Sequence, residues 1–265
     1  MGKANVLILT GYGINSDVET GWAFEMAGAD KVERVHLNRV IDGTVKLEEF
    51  QILIFPGGFS FGDHVSSGKV LGLKVRKEMG EGLKKFILDG KLVLGICNGF
   101  QTLVKMGVLP GDPENVYKTQ VATLAHNDSA KYETRWVRIK ANPANKSPFL
   151  KGIESFDVVV RHGEGKFVAP RNSLREMRNE NLIAFQYVDK NEEPTRSYPE
   201  NPNGSDLAIA GITNSRGNVL GLMPHPEVFI SGTQHPHWTR NNTGSEKGAG
   251  LQLFENAVLF AKEKL

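Results

Sequence analysis

Through the first hundred residues, short apolar runs ending near glycine alternate with stretches of helical spacing. Residues 5–10 read as a buried strand, followed by the turn Gly11-Tyr12-Gly13. A helix is predicted over about 17–27, with Ser16 as its N-cap. Strands are expected at 32–37 and 51–55, the second ending in the turn Pro56-Gly57-Gly58. A long helix over 69–88, a strand over 92–96 and a helix over 98–106 complete this half. Runs without polar alternation are strands covered on both faces, which is the habit of parallel sheets packed between helices. The expected fold class is therefore α/β: a central, mostly parallel sheet flanked by helices. Such sheets bind ligands where strands end and helices begin, and Gly11, Gly57-Gly58 and Cys97 all fall at such ends.

The second half is strand-rich. Residues 136–139, 156–160, 182–188, 207–212 and 219–223 read as strands, with turn chemistry at Asn201-Pro202-Asn203-Gly204 and Ser215-Arg216-Gly217-Asn218. A last helix over 251–262 has apolar residues at helical spacing, and 231–249 reads as a surface loop. No repeat, low-complexity tract or Ser/Pro linker divides the chain, so 1–265 is expected to form a single domain.

Charge narrows the function classes. Thirty-two basic against thirty acidic residues leave a net +2, too little for a strong field toward nucleic acid or membrane, so neither is expected as a partner. The single cysteine excludes an intramolecular disulfide and fits a reducing compartment. The apolar run from Val6 to Leu9 is too short for a secretory or membrane segment, and a cytoplasmic location is expected.

That one cysteine sits in Gly95-Ile96-Cys97-Asn98-Gly99, between a predicted strand and a predicted helix. A lone cysteine is usually an inert small hydrophobe. Here small residues flank it on both sides, as in the cysteine version of a nucleophile elbow, where a sharp turn needs them to keep helix and strands apart. A helix N-terminus favours an anion at its head, and its free N–H groups can hold a developing oxyanion. A nucleophilic cysteine needs a base, and Pro224-His225-Pro226-Glu227 follows the run at 219–223. Residues two apart in an extended segment share a side, so Glu227 can orient the His225 imidazole. A histidine between prolines can equally be loop chemistry, so this pair is a candidate rather than a proof. Gly57-Gly58 would let backbone N–H groups approach a substrate closely, or simply make a tight turn.

His162, in Arg161-His162-Gly163-Glu164-Gly165 just beyond a predicted strand, could reach the same cleft. The remaining histidines have no ligand spacing with cysteine or carboxylates, and no metal is expected. Gly11-Tyr12-Gly13-Ile14-Asn15 lacks the third glycine of a dinucleotide fingerprint and the Gly-Lys-Ser/Thr of a phosphate loop.

Pro-Gly-Gly at 56–58, Gly-x-Cys-x-Gly at 95–99 and His-Pro-Glu at 225–227 resemble, in that order, the class I glutamine amidotransferases. Longer segments are similar to the glutaminase subunits of phosphoribosylformylglycinamidine synthase from purine biosynthesis. They are Gly57 to Asp63, Gly95 to Gln101, His162 to Gly165, Asn201 to Ser205 and Gly221 to Glu227, spread over nearly the whole chain. The resemblance implies a flavodoxin-like fold in which Cys97 attacks the amide of L-glutamine and forms a thioester. It implies an oxyanion hole from the N–H groups of Gly58 and Asn98. His225, paired with Glu227, would protonate the departing ammonia and then activate water, while Phe59, Gln101, Asn127 and His162 would line the glutamine site. It also implies delivery of ammonia to a synthetase subunit, and a small bridging subunit. ATP and magnesium would belong to the synthetase, with no cofactor in this chain. Two departures stand out: Gly62-Asp63-His64-Val65-Ser66 replaces the family's Gly-Asp-Tyr-Leu-Arg, and 228–250 is long, resembling the C-terminal end of the single-chain synthases. Met1 lies close to the first strand, so a free-standing subunit is expected rather than an excised domain.

Overall fold

The computed structural model describes residues 2–117, 120–241 and 243–265. Its strands are β1 (Asn5–Thr10), β2 (Lys31–His36), β3 (Ile52–Phe55), β4 (Leu92–Ile96), β5 (Thr123–Ala125), β6 (Glu133–Ala141), β7 (Ser155–His162), β8 (Lys166–Val168), β9 (Ile183–Tyr187), β10 (Ile209–Thr213) and β11 (Val219–Leu222). Its helices are α1 (Asp17–Met26), α2 (Leu37–Ile41), α3 (Lys69–Leu88), α4 (Asn98–Lys105), α5 (Arg171–Asn179), α6 (Trp238–Asn241) and α7 (Leu251–Lys264). Among the described residues, no helix is long and apolar enough to cross a membrane.

A nine-stranded sheet runs in the order β2-β1-β3-β4-β11-β10-β9-β6-β7. From β2 to β11 every pairing is parallel, and from β11 to β7 every pairing is antiparallel. The chain crosses from β1 to β2 in one direction and from β3 to β4 in the other. Right-handed crossovers therefore place α1 and α3 on opposite faces. α7 joins α1, with Phe24 and Phe254 meeting edge-to-face at 5.0 Å, and α4 joins α3. Every residue of β3 and β4 is buried, as expected of strands covered on both sides.

The parallel block is the predicted α/β front plus one strand from the second half. β11 lies against β4 with Leu222 opposite Ile96, while β3 lies on the other side with Phe55 opposite Gly95. Three strands thus end at one level, and the turns holding Gly57-Gly58, Cys97 and His225 leave the sheet side by side.

Some expectations need correction. Ser16 occupies the N-cap position of α1, but its side chain makes no cap bond. Its backbone (φ −98°, ψ 19°) is not extended, and its N–H is committed to the Gly57 carbonyl at 3.1 Å. α5 was not predicted, because its sequence is mostly charged and buries only Met177. The small two-stranded sheet of β5 and β8 was missed for shortness. The expected surface loop at 231–249 contains a 3-10 turn (Gly232–Gln234) and α6, and it buries His235, with residue 242 outside the described set.

Glycine spacing fixes how close α4 comes to the sheet. A Cβ on Gly95 would lie 2.8 Å from the Gly99 carbonyl carbon, and one on Gly99 would overlap the Phe55 carbonyl outright. Gly99→Ala is therefore expected to lower stability by about 1–3 kcal/mol, the usual cost of overpacking. Urea denaturation measures this directly, and an unchanged midpoint would show that α4 can ride away from β3 freely.

Candidate active site

Cys97 heads α4 with φ 51° and ψ −104°, a conformation uncommon for any residue with a side chain. Its own N–H donates to the Leu222 carbonyl at 2.8 Å, which ties the elbow to β11. The sulfur, in a residue only 6% exposed, lies 3.5 Å from the Arg161 carbonyl. The first N–H groups of α4, beginning at Asn98, have no carbonyl within their own helix to bond. The buried Asn98 side chain braces this turn. Its oxygen accepts from the Ser60 N–H at 3.2 Å, and its amide donates to Asp63 at 3.1 Å and to Gln101 at 3.0 Å.

His225 leaves β11 with its N–H bonded to the Val159 carbonyl on β7 at 2.8 Å. Its Nδ1 lies 2.6 Å from Glu227 Oε1, and both side chains are buried. Nε2 has no conventional hydrogen bond. Burial alone would keep the ring neutral. The negative charges of Glu227 and of a Cys97 thiolate outweigh it and push His225 up to about 10. The ring is therefore suited to carry a proton beside the sulfur, with Glu227 holding its other nitrogen.

The Pro56-Gly57-Gly58 turn makes room for this ring. A Cβ on Gly57 would lie 2.8 Å from His225 Cε1. Gly58 (φ +151°) packs flat against Gly13 to Asn15, where a Cβ would come within 2.7 Å of the Gly13 carbonyl oxygen. The Phe59 N–H donates to that same carbonyl at 2.9 Å, so the first βα turn serves as a brace for the third strand's turn.

A cavity of about 230 Å³ opens over the sulfur. Of the residues singled out from the sequence, Gly58, Phe59, Cys97, Gln101 and His162 line it. His162 is the last residue of β7 rather than one beyond it. Asn127 is the exception. Its amide donates to the carbonyls of Lys131 and His162, and its oxygen accepts from the Gly165 N–H and faces His162 Nδ1. With every polar atom committed it sits behind His162, and its neighbour His126 takes the place on the cavity wall. A larger hollow of about 640 Å³ beside the kinked α3, around Arg76, Gly80 and Tyr117, brings no nucleophile near a base.

The sequence reading missed three charged wall residues, Asp63, Arg161 and Glu164. All three stand inside segments already marked as informative, so the signal was present without being assigned. Burial pushes Asp63 above the ordinary carboxylate range, reinforced by the nearby Glu164 charge and opposed by bonds from Ser67 and Asn98. Glu164 Oε2 accepts from Ser66 Oγ and the Ser67 N–H, both at 3.2 Å, and its carbonyl accepts from Gln101 at 2.7 Å. Ser66 thus finds a carboxylate partner.

Residues 3–261 match the family of CobB/CobQ-like glutamine amidotransferase domains. The chain is 41% identical to the phosphoribosylformylglycinamidine synthase subunit PurQ of Dehalococcoides mccartyi, over 99% of its length and all of the relative's. It is 38% identical to the subunit of the same name from Methanococcus maripaludis, covering 96% of each. Among solved structures, it superposes on a chain of PurLQS from Thermotoga maritima with a TM-score of 0.71 at 28% identity, covering 97% of this chain and 99% of that one. The elbow cysteine, the buried His–Glu pair and the end-to-end similarity agree: the chain belongs to the CobB/CobQ-like glutamine amidotransferases, among the PurQ subunits of phosphoribosylformylglycinamidine synthase.

Proposed function

We propose that Cys97, His225 and Glu227 hydrolyse the side-chain amide of L-glutamine. The ammonia would pass to a synthetase partner that converts formylglycinamide ribonucleotide into formylglycinamidine ribonucleotide in purine biosynthesis. The observation that carries this reading is the 2.6 Å contact between His225 Nδ1 and Glu227, which leaves a buried Nε2 with no other duty beside a cysteine held at positive φ.

In this reading the Cys97 thiolate attacks the amide carbon, and the oxygen's developing charge meets the N–H groups of Asn98 and Gly58. His225 gives its Nε2 proton to the leaving nitrogen, so ammonia departs and a γ-glutamyl thioester remains. Water then attacks the thioester, losing a proton to His225, and glutamate leaves as the thiolate reforms. The cavity walls carry both signs of charge, Arg161 on one hand and Asp63 and Glu164 on the other, which suits the two charged ends of a free amino acid. Phe59, Gln101 and His162 supply the remaining walls, and Asn127 supports His162 from behind.

The need for a partner follows from the product. Free ammonia is mostly protonated near neutral pH and no longer a nucleophile, so it is useful only when released beside its acceptor. A synthetase subunit and a small bridging subunit fit this requirement, with ATP and magnesium bound on the synthetase.

Cys97→Ala or Cys97→Ser is expected to abolish glutamine-dependent synthesis in the complex reconstituted with its partners, while ammonia-dependent synthesis continues. Equal loss of both would remove Cys97 from the assigned role. Glu227→Gln removes the charge that outweighs burial at His225, so less imidazolium forms at neutral pH. The rate at which a glutamine-analogue electrophile adds mass at Cys97 should fall by about 10²–10⁴-fold, the range of a positioned acid–base group. An unchanged rate would mean that His225 works without its carboxylate.

A further inference from the structure

The turn Asn201-Pro202-Asn203-Gly204-Ser205 takes no part in the chemistry above, yet Asn201, Asn203 and Ser205 are almost wholly buried. Asn203 reaches the far side of His162. Its Nδ2 lies 3.4 Å from His162 Nε2 and 3.2 Å from the Tyr187 hydroxyl. Its Oδ1 accepts from the Ser205 N–H at 3.1 Å and from Ser205 Oγ at 2.7 Å. A backbone N–H can only donate, so that bond fixes which end of the Asn203 amide faces the ring. Asn127 is locked in the same way, its Oδ1 accepting from the Gly165 N–H at 3.0 Å while facing His162 Nδ1 at 3.0 Å.

Both ends of the ring are thereby specified. An oxygen faces Nδ1, so Nδ1 carries the hydrogen. An N–H donor faces Nε2, so Nε2 must accept and be bare. A second proton on His162 would point one N–H at another between two almost wholly buried side chains. We propose that Asn203 is a positioning residue for glutamine hydrolysis: its amide locks His162 as the uncharged Nδ1–H tautomer, and with it the wall from Arg161 to Glu164 against Cys97. This rests on the proposed role of Cys97 and His225 and adds a residue to it.

The groups facing His162 are Asn127, Glu133 on the adjacent β6, Tyr187 on β9, Asn203, and His225 with Cys97. Glu133 favours a charge on His162, but it is engaged by Arg135 and by Ser129 Oγ at 2.6 Å. Burial and the His225 charge prevail and lower His162 to about 4. The positive charge of the site then rests on the ring that can hand a proton to the substrate. Holding His162 neutral also holds its strand end, whose Arg161 carbonyl lies against the sulfur.

Asn203→Asp tests this in the reconstituted complex, since a carboxylate facing Nε2 would recruit a proton to His162. Glutamine-dependent kcat should fall by about 10- to 100-fold, the scale of a misplaced reacting geometry. KM should change less, the acid limb of the pH profile should move upward, and ammonia-dependent synthesis should be unchanged. Asn203→Asp with wild-type glutamine-dependent kcat and pH profile would overturn the proposal while leaving the role of Cys97 intact. So would equal loss of both activities in a folded variant. Should Asn203→Asp fail to fold, nitrogen NMR of the histidine-labelled wild-type chain decides. His162, assigned by comparison with His162→Gln, should show a protonated Nδ1 and a bare Nε2 between about pH 6 and 8. An imidazolium or an Nε2–H tautomer there would overturn it.

Discussion

The pairing of β11 with β4 is the constraint on which the site depends. The two strands come from opposite ends of the chain, yet Leu222 lies opposite Ile96 and the Leu222 carbonyl accepts the Cys97 N–H. Side chains in a strand alternate faces, so a slip of one residue would turn the histidine segment away from the sulfur. The antiparallel half of the sheet exists, in this light, as an anchor: β7 receives the His225 N–H at Val159 and offers the Arg161 carbonyl to Cys97. The nucleophile is thus pinned from three strands at once, which is what allows a cysteine to be held at φ 51°.

Two buried histidines within this frame meet opposite fates. Desolvation acts on both and disfavours charge on both. His225 has a carboxylate at 2.6 Å and a potential thiolate beyond it, and it is pushed up to about 10. His162 has an amide at each nitrogen and is lowered to about 4. Neighbours, not depth, decide the protonation of each ring, and of the two buried histidines only His225 is held as a cation.

Legibility from the sequence followed the range of the interactions. β1, β4 and α3 were read to the residue because buried runs and helical spacing are local signals. The elbow at Cys97 and the pair His225–Glu227 were also local, each contained within five residues. Asn127 lies behind the cavity wall rather than on it, because which of two successive loop residues faces a cavity depends on the hydrogen bonds of Lys131, His162 and Gly165 around it. Asn203 was read as turn chemistry and as part of a family-resembling segment but given no role, since its partner His162 arrives through tertiary folding. Ser16 is the N-cap of α1 but makes no side-chain cap bond for a similar reason: a long-range bond to Gly57 sets its backbone.

Ser66 and Ser67 show how the wall keeps its acidic character. An arginine beside Glu164 would pair with the carboxylate and cancel its charge. Ser66 Oγ and the Ser67 N–H instead satisfy two hydrogen bonds and leave the negative charge in place, next to an Asp63 already raised by burial and by that charge. The cavity consequently keeps acidic groups in its wall as well as Arg161. On the proposed reading, a zwitterionic amino acid entering between them would relieve the repulsion between Asp63 and Glu164. Binding and electrostatic relief would then be the same event.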